Sequence, residues 1–386
     1  LSDFKEDASQ LLKGAKNTKI DIKYIRQGKT NTAQIILDEV EIKSVPFYAK
    51  IDDKTGYIVL AHFNQKASNE TKQALEALKS QGAERIILDL RGNPGGLLNE
   101  AVNICNLFVP KNEIIVTTKS KIESHNNTYR TTFEPLDTQI PLVIIVSGRS
   151  ASASEIVSGA LQDLEYNTQL KVTISRYYTP SGRCIQALDY AHKDKNGVAT
   201  RTSEKNYNAF KTRKGRTVYD GGGVSPDIEL KESNTSVITD ALLKNDGIFN
   251  YVTRYYYKNP NLGDKTPTVT DADYQDFKQF LKAEKFSFDT ETELALKNTL
   301  AVAKKEKIDD TIITEYQQLL SALQKSEETQ LDKNQEEIKK IIVEEIIKRY
   351  QYQEGFYQYY IKNNSEIQKS IDILNNTTNY KNILKI

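Results

Sequence analysis

Three serines spaced two apart, Ser150-Ala151-Ser152-Ala153-Ser154, followed by Glu155-Ile156, stand between an apolar strand-like stretch (142–147) and a helix-like stretch (155–164). A hydroxyl on a turn between a buried strand and a helix N-terminus lies beside unpaired backbone N–H groups and the positive end of the helix dipole, which favour developing negative charge. A nucleophilic serine would be well placed there. Serine is also a preferred helix N-cap, so the run can equally be read as capping. A second segment upstream carries related chemistry. Arg85 to Leu90 is an apolar strand that stops at Arg91-Gly92-Asn93-Pro94-Gly95-Gly96, after which a helical pattern runs from Leu97 to Phe108. Such a turn can present backbone N–H groups to an oxyanion, because glycine admits the φ values and the close approach required. It can also be an ordinary strand-to-helix connection that needs glycine for steric reasons.

Positioning such turns takes a framework, and from Gly56 the pattern is α/β. Strands are expected at 57–60, 86–90, 114–117 and 143–146, with helices at 69–79, 97–108 and 155–164, which implies a layered sheet with helices packed on it. Before that, 1–52 is expected to belong to a small β-rich module, with a helix at 7–12 closed by Lys13-Gly14, strands at 19–25 and 34–37, and a further segment at 40–45. Beyond about residue 230 the composition turns to Lys, Glu, Gln, Leu and Ile. Helical spacing appears at 235–243, 273–281 and 336–350, where Ile338, Ile341, Ile342 and Ile346 share one face. The tyrosines and phenylalanines at 251, 255–257, 356, 357, 359 and 360 are expected to pack helix against helix. The resulting division is 1–52, 53–230 and 231–386.

Composition narrows the function classes. The 386 residues are ample for two or three domains. With 53 basic and 52 acidic residues the net charge is +1, which argues against a nucleic-acid-binding surface as the main business of the chain. No apolar run approaches the roughly 20 residues of a membrane span, and no signal peptide opens the sequence. The two cysteines, Cys105 and Cys184, and only three histidines support neither a metal site nor a disulfide framework, so no metal and no cofactor are expected.

Taken together, Leu88-Asp89-Leu90-Arg91-Gly92-Asn93-Pro94-Gly95-Gly96, the serine run through Ile156, Gly159-Ala160-Leu161-Gln162-Asp163, Tyr178-Thr179-Pro180-Ser181-Gly182-Arg183 and Asp220-Gly221-Gly222-Gly223-Val224-Ser225-Pro226-Asp227 resemble the carboxy-terminal processing peptidases, or tail-specific proteases. The resemblance spans 56–230. The N-terminal fragment is similar to the second half of the PDZ domain of such proteases, with Leu11-Leu12-Lys13-Gly14 as the end of its helix, and lacks the upstream carboxylate-binding loop. The C-terminal helices resemble accessory regions of bacterial members only loosely. The fold implied is α/β (α+β): a layered sheet-and-helix protease core, a partial PDZ-like β module before it and a helical domain after it.

What the resemblance implies for chemistry is a Ser-Lys hydrolase, with lysine replacing histidine as general base. Ser152 matches the nucleophile. Ser150 and Ser154 then become structural. The N–H of Ala153, with one from Gly95 or Gly96, matches the oxyanion hole, and Asp163, eleven residues past Ser152, falls at a supporting position or serves the helix end. The implied partners are the C-termini of protein or peptide substrates, with room for a homo-oligomer; the implied compartment is the bacterial cell envelope, on the periplasmic side.

One departure from the family pattern is serious. The catalytic lysine is expected in a Gly-Lys-Gly stretch about 25 residues after the serine, kept neutral by burial so that it can accept a proton. Here that offset falls on Tyr177, and the nearest lysine, Lys171, sits on the polar side of an alternating strand. The helix to Leu164 runs into the strand from Glu165 with almost no connection, so roughly two dozen residues of the family pattern, the base among them, are absent between Leu164 and Glu165. The lack of any methionine points the same way, to residues missing from the sequence. Two rivals follow. One is a catalytically inactive, tail-binding scaffold; the other is a crotonase-like acyl-thioester enzyme, disfavoured because no nucleotide-recognition loop is evident.

Overall fold

The structure is a computed structural model, and it describes residues 12–26, 28–120, 126–164, 175–184, 188–193, 199–201, 207–220, 223–230, 235–263, 265–284, 286, 291–307 and 310–385. Most of the expected helix at 7–12 and the strand beginning at Glu165, including Lys171, lie outside these residues.

At the N-terminal side, β1 (Lys19–Arg26) and β2 (Lys29–Ile36) form an antiparallel hairpin in register from Lys19 opposite Ile36 to Arg26 opposite Lys29. The expected segment at 40–45 forms no strand. The central sheet has the order β3-β4-β5-β8, built from β3 (Phe47–Lys50), β4 (Thr55–Val59), β5 (Arg85–Asp89) and, after β6 (Ile114–Ser120) and β7 (Asn127–Arg130), β8 (Leu142–Ile145). The β3–β4 pair is antiparallel, and β4, β5 and β8 are parallel. Between the parallel strands the chain crosses over through α1 (Ala67–Ser80) and α2 (Leu98–Asn106), and α3 (Ala153–Leu164) follows β8. A smaller sheet has the order β7-β6-β9, with β9 spanning Ser175–Tyr178. Further short hairpins pair β10 (Leu188–Lys193) with β11 (Ala199–Arg201), and β12 (Ala209–Lys211) with β13 (Thr217–Tyr219).

Strand residues alternate between the two faces of the central sheet, and both faces are covered. Ile58, Ile86, Leu88 and Ile144 point into a core closed by α1, α2 and α3, where Leu75, Leu78, Ile104, Phe108, Val157 and Ala160 are buried. Their neighbours Tyr57, Ile87, Val143 and Ile145 point the other way, into a cluster completed by Tyr357, Ile361, Ile367, Leu374 and Tyr380. A sheet buried on both sides explains why Ile86-Ile87-Leu88 is apolar without interruption.

The second cover comes from the far end of the chain. The helices α4 (Val237–Lys244), α5 (Gly247–Lys258), α6 (Asp271–Ala283), α7 (Glu291–Lys305), α8 (Asp310–Lys333) and α9 (Gln335–Asn363) are followed by α10 (Ser365–Asn375) and α11 (Thr377–Leu384). The first part of α9 packs with α4, α5 and α6 around Leu242, Tyr251, Phe277, Ile338 and Ile342, so the apolar face expected at 336–350 is buried there. Past a break in helical geometry at Tyr352, Tyr357 stacks on Phe47 at 4.9 Å between ring centroids. At the strand ends, the Tyr380 hydroxyl donates to the Leu142 carbonyl and accepts from its N–H, each at 3.1 Å, while Arg85 Nη1 donates to the Leu374 carbonyl at 3.1 Å. The aromatic residues expected to pack helix on helix do so at 251 and 256, whereas Tyr357 and Tyr360 pack on the sheet cluster.

This shared cluster makes a prediction. Ile367, fully buried, truncated to alanine should cost about 2–5 kcal/mol and should lower amide protection at Ile87 as well as in α10. Urea denaturation combined with hydrogen exchange checks both outcomes; loss confined to α10 would contradict a common core.

Candidate active site

The serine run leaves β8 and turns into α3 as the sequence led one to expect, and Ser152 holds a left-handed φ of 54°. For a residue with a side chain this conformation is strained, costing on the order of 1–3 kcal/mol unless its surroundings enforce it. The enforcing contacts come from the Gly-rich turn. Gly95 packs so closely that a Cβ built on it would stand 2.7 Å from the Ala151 carbonyl oxygen, 2.8 Å from the Ala153 nitrogen and 2.8 Å from Ser152 Cβ, and its own φ is +99°. Gly96, at φ +149°, leaves no room for a Cβ against the Phe63 carbonyl. The two glycines are therefore required by position.

Hydrogen bonds lace the two turns together. The Asn93 carbonyl accepts from the Ala151 N–H at 3.1 Å and from Ser154 Oγ at 2.9 Å. Ser150 Oγ donates to the Leu90 carbonyl at 2.7 Å and accepts from the Ser147 N–H at 2.9 Å, and the Gly92 N–H donates to Ser147 Oγ at 3.2 Å. Asn93, fully buried, also donates through Nδ2 to the Leu60 carbonyl at 2.7 Å and accepts the Gly95 N–H through Oδ1 at 2.9 Å. Ser150 and Ser154 thus serve as structural links. The Gly95 N–H is consumed inside the turn. Among the described residues the N–H groups of Gly96 and Ala153, and the Ser152 hydroxyl, have no hydrogen-bond partner.

Glu155 completes the turn. Its carboxylate accepts the Ser152 N–H at 2.8 Å, which is half of a capping box read from the Ser-x-x-Glu spacing. Burial pushes its carboxyl up to about 7, partly opposed by that N–H. Sequence reasoning passed over this residue although the spacing was visible.

Asp163 is not brought to Ser152. It lies at the other end of α3, roughly 16 Å along the axis at 1.5 Å per residue. There it is fully buried against Arg183, with Nη2 2.7 Å from Oδ1, and it accepts from Ser181 Oγ at 2.5 Å. Gln162 Oε1 accepts from Arg183 Nη2 at 2.7 Å, and the Gln162 carbonyl accepts from Arg216 Nη2 at 2.9 Å. The Thr179–Arg183 motif is thereby tied to the end of α3, and the helix-end reading of Asp163 is the one its contacts favour.

A third group was not anticipated. Asp89, the last residue of β5, is buried and accepts the Tyr57 hydroxyl at 2.6 Å and Arg91 Nε at 3.0 Å, and it pairs with Arg91 Nη2. Burial and the Asp89 charge both hold the Tyr57 hydroxyl protonated. Asp89 and Arg91 stand at the base of the Gly-rich turn, but the pairing of Arg91 with Asn364 and Glu366 has no local sequence signal.

The geometry is that of a hydroxyl on a strained turn, adjacent in sequence to the free Ala153 N–H and packed against Gly95, which Gly96 with its own free N–H follows; donors of this kind can stabilise an oxyanion in acyl transfer. Residues 54–168 match the model described as Peptidase family S41, and residues 238–374 match the one described as Probable PDZ-protease, C-terminal helical domain. A carboxyl-terminal-processing protease of Synechocystis sp. is 32% identical over 210 residues, covering 47% of this chain and 48% of that protein. Another from Picosynechococcus sp. is 36% identical over 163 residues, covering 41% and 38%. The solved photosystem II D1 C-terminal processing protease is 25% identical, with 57% of each chain covered and a TM-score of 0.33. The core is thus similar to peptidase family S41, and the helical region behind it is similar to the C-terminal helical domain of a PDZ-protease. It spans about half the length, or less, of these curated relatives. Among the described residues there is no cluster that could hold a metal ion and no helix long and apolar enough to cross a membrane.

Two outcomes are expected. Gly95→Ala should destabilise the protein by at least about 1 kcal/mol and suppress labelling of Ser152 by a fluorophosphonate; a variant labelled at the wild-type rate would contradict the close approach. The second concerns pH. Between the ordinary 4.5 of Glu155 and about 7, the folded chain keeps a proton that the unfolded chain has lost, so stability falls as pH rises through that window. Glu155→Gln should therefore gain up to about 3 kcal/mol on the wild type between pH 5 and pH 8, read by urea denaturation at both values.

Proposed function

We propose that this chain is the core and helical region of a serine endopeptidase that cleaves protein substrates near their C-termini, with 53–230 as the peptidase core. The observation that carries the reading is the abutment of Gly95 on Ser152 and the Ala153 nitrogen, with the Ser152 hydroxyl and the N–H groups of Ala153 and Gly96 lacking a hydrogen-bond partner among the described residues. The match of residues 54–168 to peptidase family S41 and the similarity to carboxyl-terminal-processing proteases support it.

In this mechanism Ser152 Oγ attacks the scissile carbonyl carbon as its proton passes to a neutral lysine amine. The carbonyl oxygen becomes an oxyanion between the Ala153 and Gly96 N–H groups. Two such donors, each worth about 2.7–4 kcal/mol, are a large part of catalysis. Collapse breaks the C–N bond, the lysine returns the proton to the leaving amine, and water then hydrolyses the acyl-enzyme by the reverse proton route. Gly95 acts through its shape, since its own N–H is taken by Asn93. Asp163 supports at a distance, anchoring Arg183 at the far end of α3.

The expected place of the lysine, between Leu164 and Glu165, adjoins residues outside the described set. Substrate selection by a free C-terminus, through strand addition to a PDZ-like module, and a periplasmic location in the cell envelope extend the same reading.

Ser152→Ala should abolish cleavage of a peptide with a free apolar C-terminus while leaving the thermal midpoint within a few degrees of wild type; cleavage persisting in that variant would sink the assignment. Peptide mapping across Leu164 and Glu165 should recover a Gly-rich peptide bearing a lysine. A direct junction between them, with no serine labelling by a phosphonate, would favour the tail-binding scaffold.

A further inference from the structure

The C-terminal helices reach the base of the Gly-rich turn at Arg91. Arg91 spends Nε and Nη2 on Asp89, while Nη1 donates to Asn364 Oδ1 at 3.0 Å and stands 3.3 Å from Glu366 Oε2. Its guanidinium lies over the Tyr360 ring, 5.3 Å from the centroid. Asn364 is itself fixed, because the same Oδ1 accepts the Ile367 N–H at 3.0 Å and caps α10. The Arg91 side chain is only 15% exposed, so without these partners a buried guanidinium N–H would be left unpaired. Directly after Arg91 come Gly92, bonded to Ser147, and Asn93, bonded to both turns.

We propose that Asn364 and Glu366, at the start of α10, are positioning residues of the peptidase site, acting through Arg91 on the Gly92–Gly96 turn. The turn's catalytic use rests on the function proposed above; its dependence on α10 does not. The turn has two anchored ends. One is Asn93 against the serine run, and the other is Arg91, held from one side by its own strand through Asp89 and from the other by helices more than 270 residues later in the chain. An arginine fork shared between a carboxylate and an amide oxygen has a single orientation. Removing the far side frees the guanidinium to rotate toward water, and the Arg91 backbone, with the free Gly96 N–H a few residues on, loses its fixed point.

The test uses the full chain. Asn364→Ser keeps an oxygen to cap α10 but draws it back from Arg91, and Glu366→Gln removes the charge. In the double variant we expect amide exchange across residues 91–97 to rise at least tenfold, fluorophosphonate labelling of Ser152 to slow at least tenfold, and KM for a peptide substrate to stay within twofold. Asn364→Asp in the Glu366→Gln background, which restores both an acceptor and a charge, should recover most of the labelling rate. Unchanged exchange in the double variant would overturn the proposal. Raised exchange in a protein whose wild type is never labelled would instead overturn the peptidase reading and leave the positioning intact. Should the double variant not fold, Glu366→Gln alone decides by the same exchange measurement, since that side chain is 26% exposed and its change is mild.

Discussion

The contact on which this site depends is the abutment of Gly95 on the Ala151 carbonyl, the Ser152 Cβ and the Ala153 nitrogen, where no Cβ fits. It brings a strand-to-helix turn from one part of the core against another from some sixty residues later, and it leaves Ser152 in a left-handed conformation with, among the described residues, no competing hydrogen bond on its hydroxyl. Steric exclusion alone would not hold the two turns; Asn93 does so by satisfying partners on both sides while fully buried. The donors left over, on Gly96 and Ala153, have no partner among the described residues.

The abutment in turn needs rigid supports, and the parallel sheet supplies them. β5 and β8 are adjacent and in register, Asp89 beside Ile145, so the turns that leave their C-terminal ends emerge side by side. Loops at this edge of a parallel sheet are where function concentrates. Both faces must be dry for such a sheet to be stable, and in this chain the second face is sealed by the final helices. The helical region therefore contributes directly to the core through residues 357–380, while residues 238–346 keep a cluster of their own. β3 likewise joins the central sheet from the N-terminal side of residue 53. Sequence composition divides the chain more sharply than packing does.

Much of the core was legible. The helices at 67–80, 98–106 and 153–164 and the strands at 55–59, 85–89, 114–120 and 142–145 fall within a few residues of expectation, because apolar periodicity and glycine at the turns are local signals. The placement of Ser152, Gly95, Gly96 and Ala153 together was also legible, from motifs that require one another. Glu155 was readable from its spacing and was passed over. The segment at 40–45, given no element type by its pattern, forms no strand, and Val40 and Ile42 are exposed.

By itself the sequence determined the class of core, the serine and the glycine turn, since residue type and short spacing decide whether a turn can hold a positive φ or admit a close backbone. Only the tertiary structure decided which donors stay free, which end of α3 Asp163 serves, and what Arg91 meets. Those outcomes rest on contacts such as Arg91 to Asn364 and Tyr357 to Phe47, between residues hundreds of positions apart. No local pattern encodes such a pairing; it appears only when burying both faces of one sheet brings the two ends of the chain together.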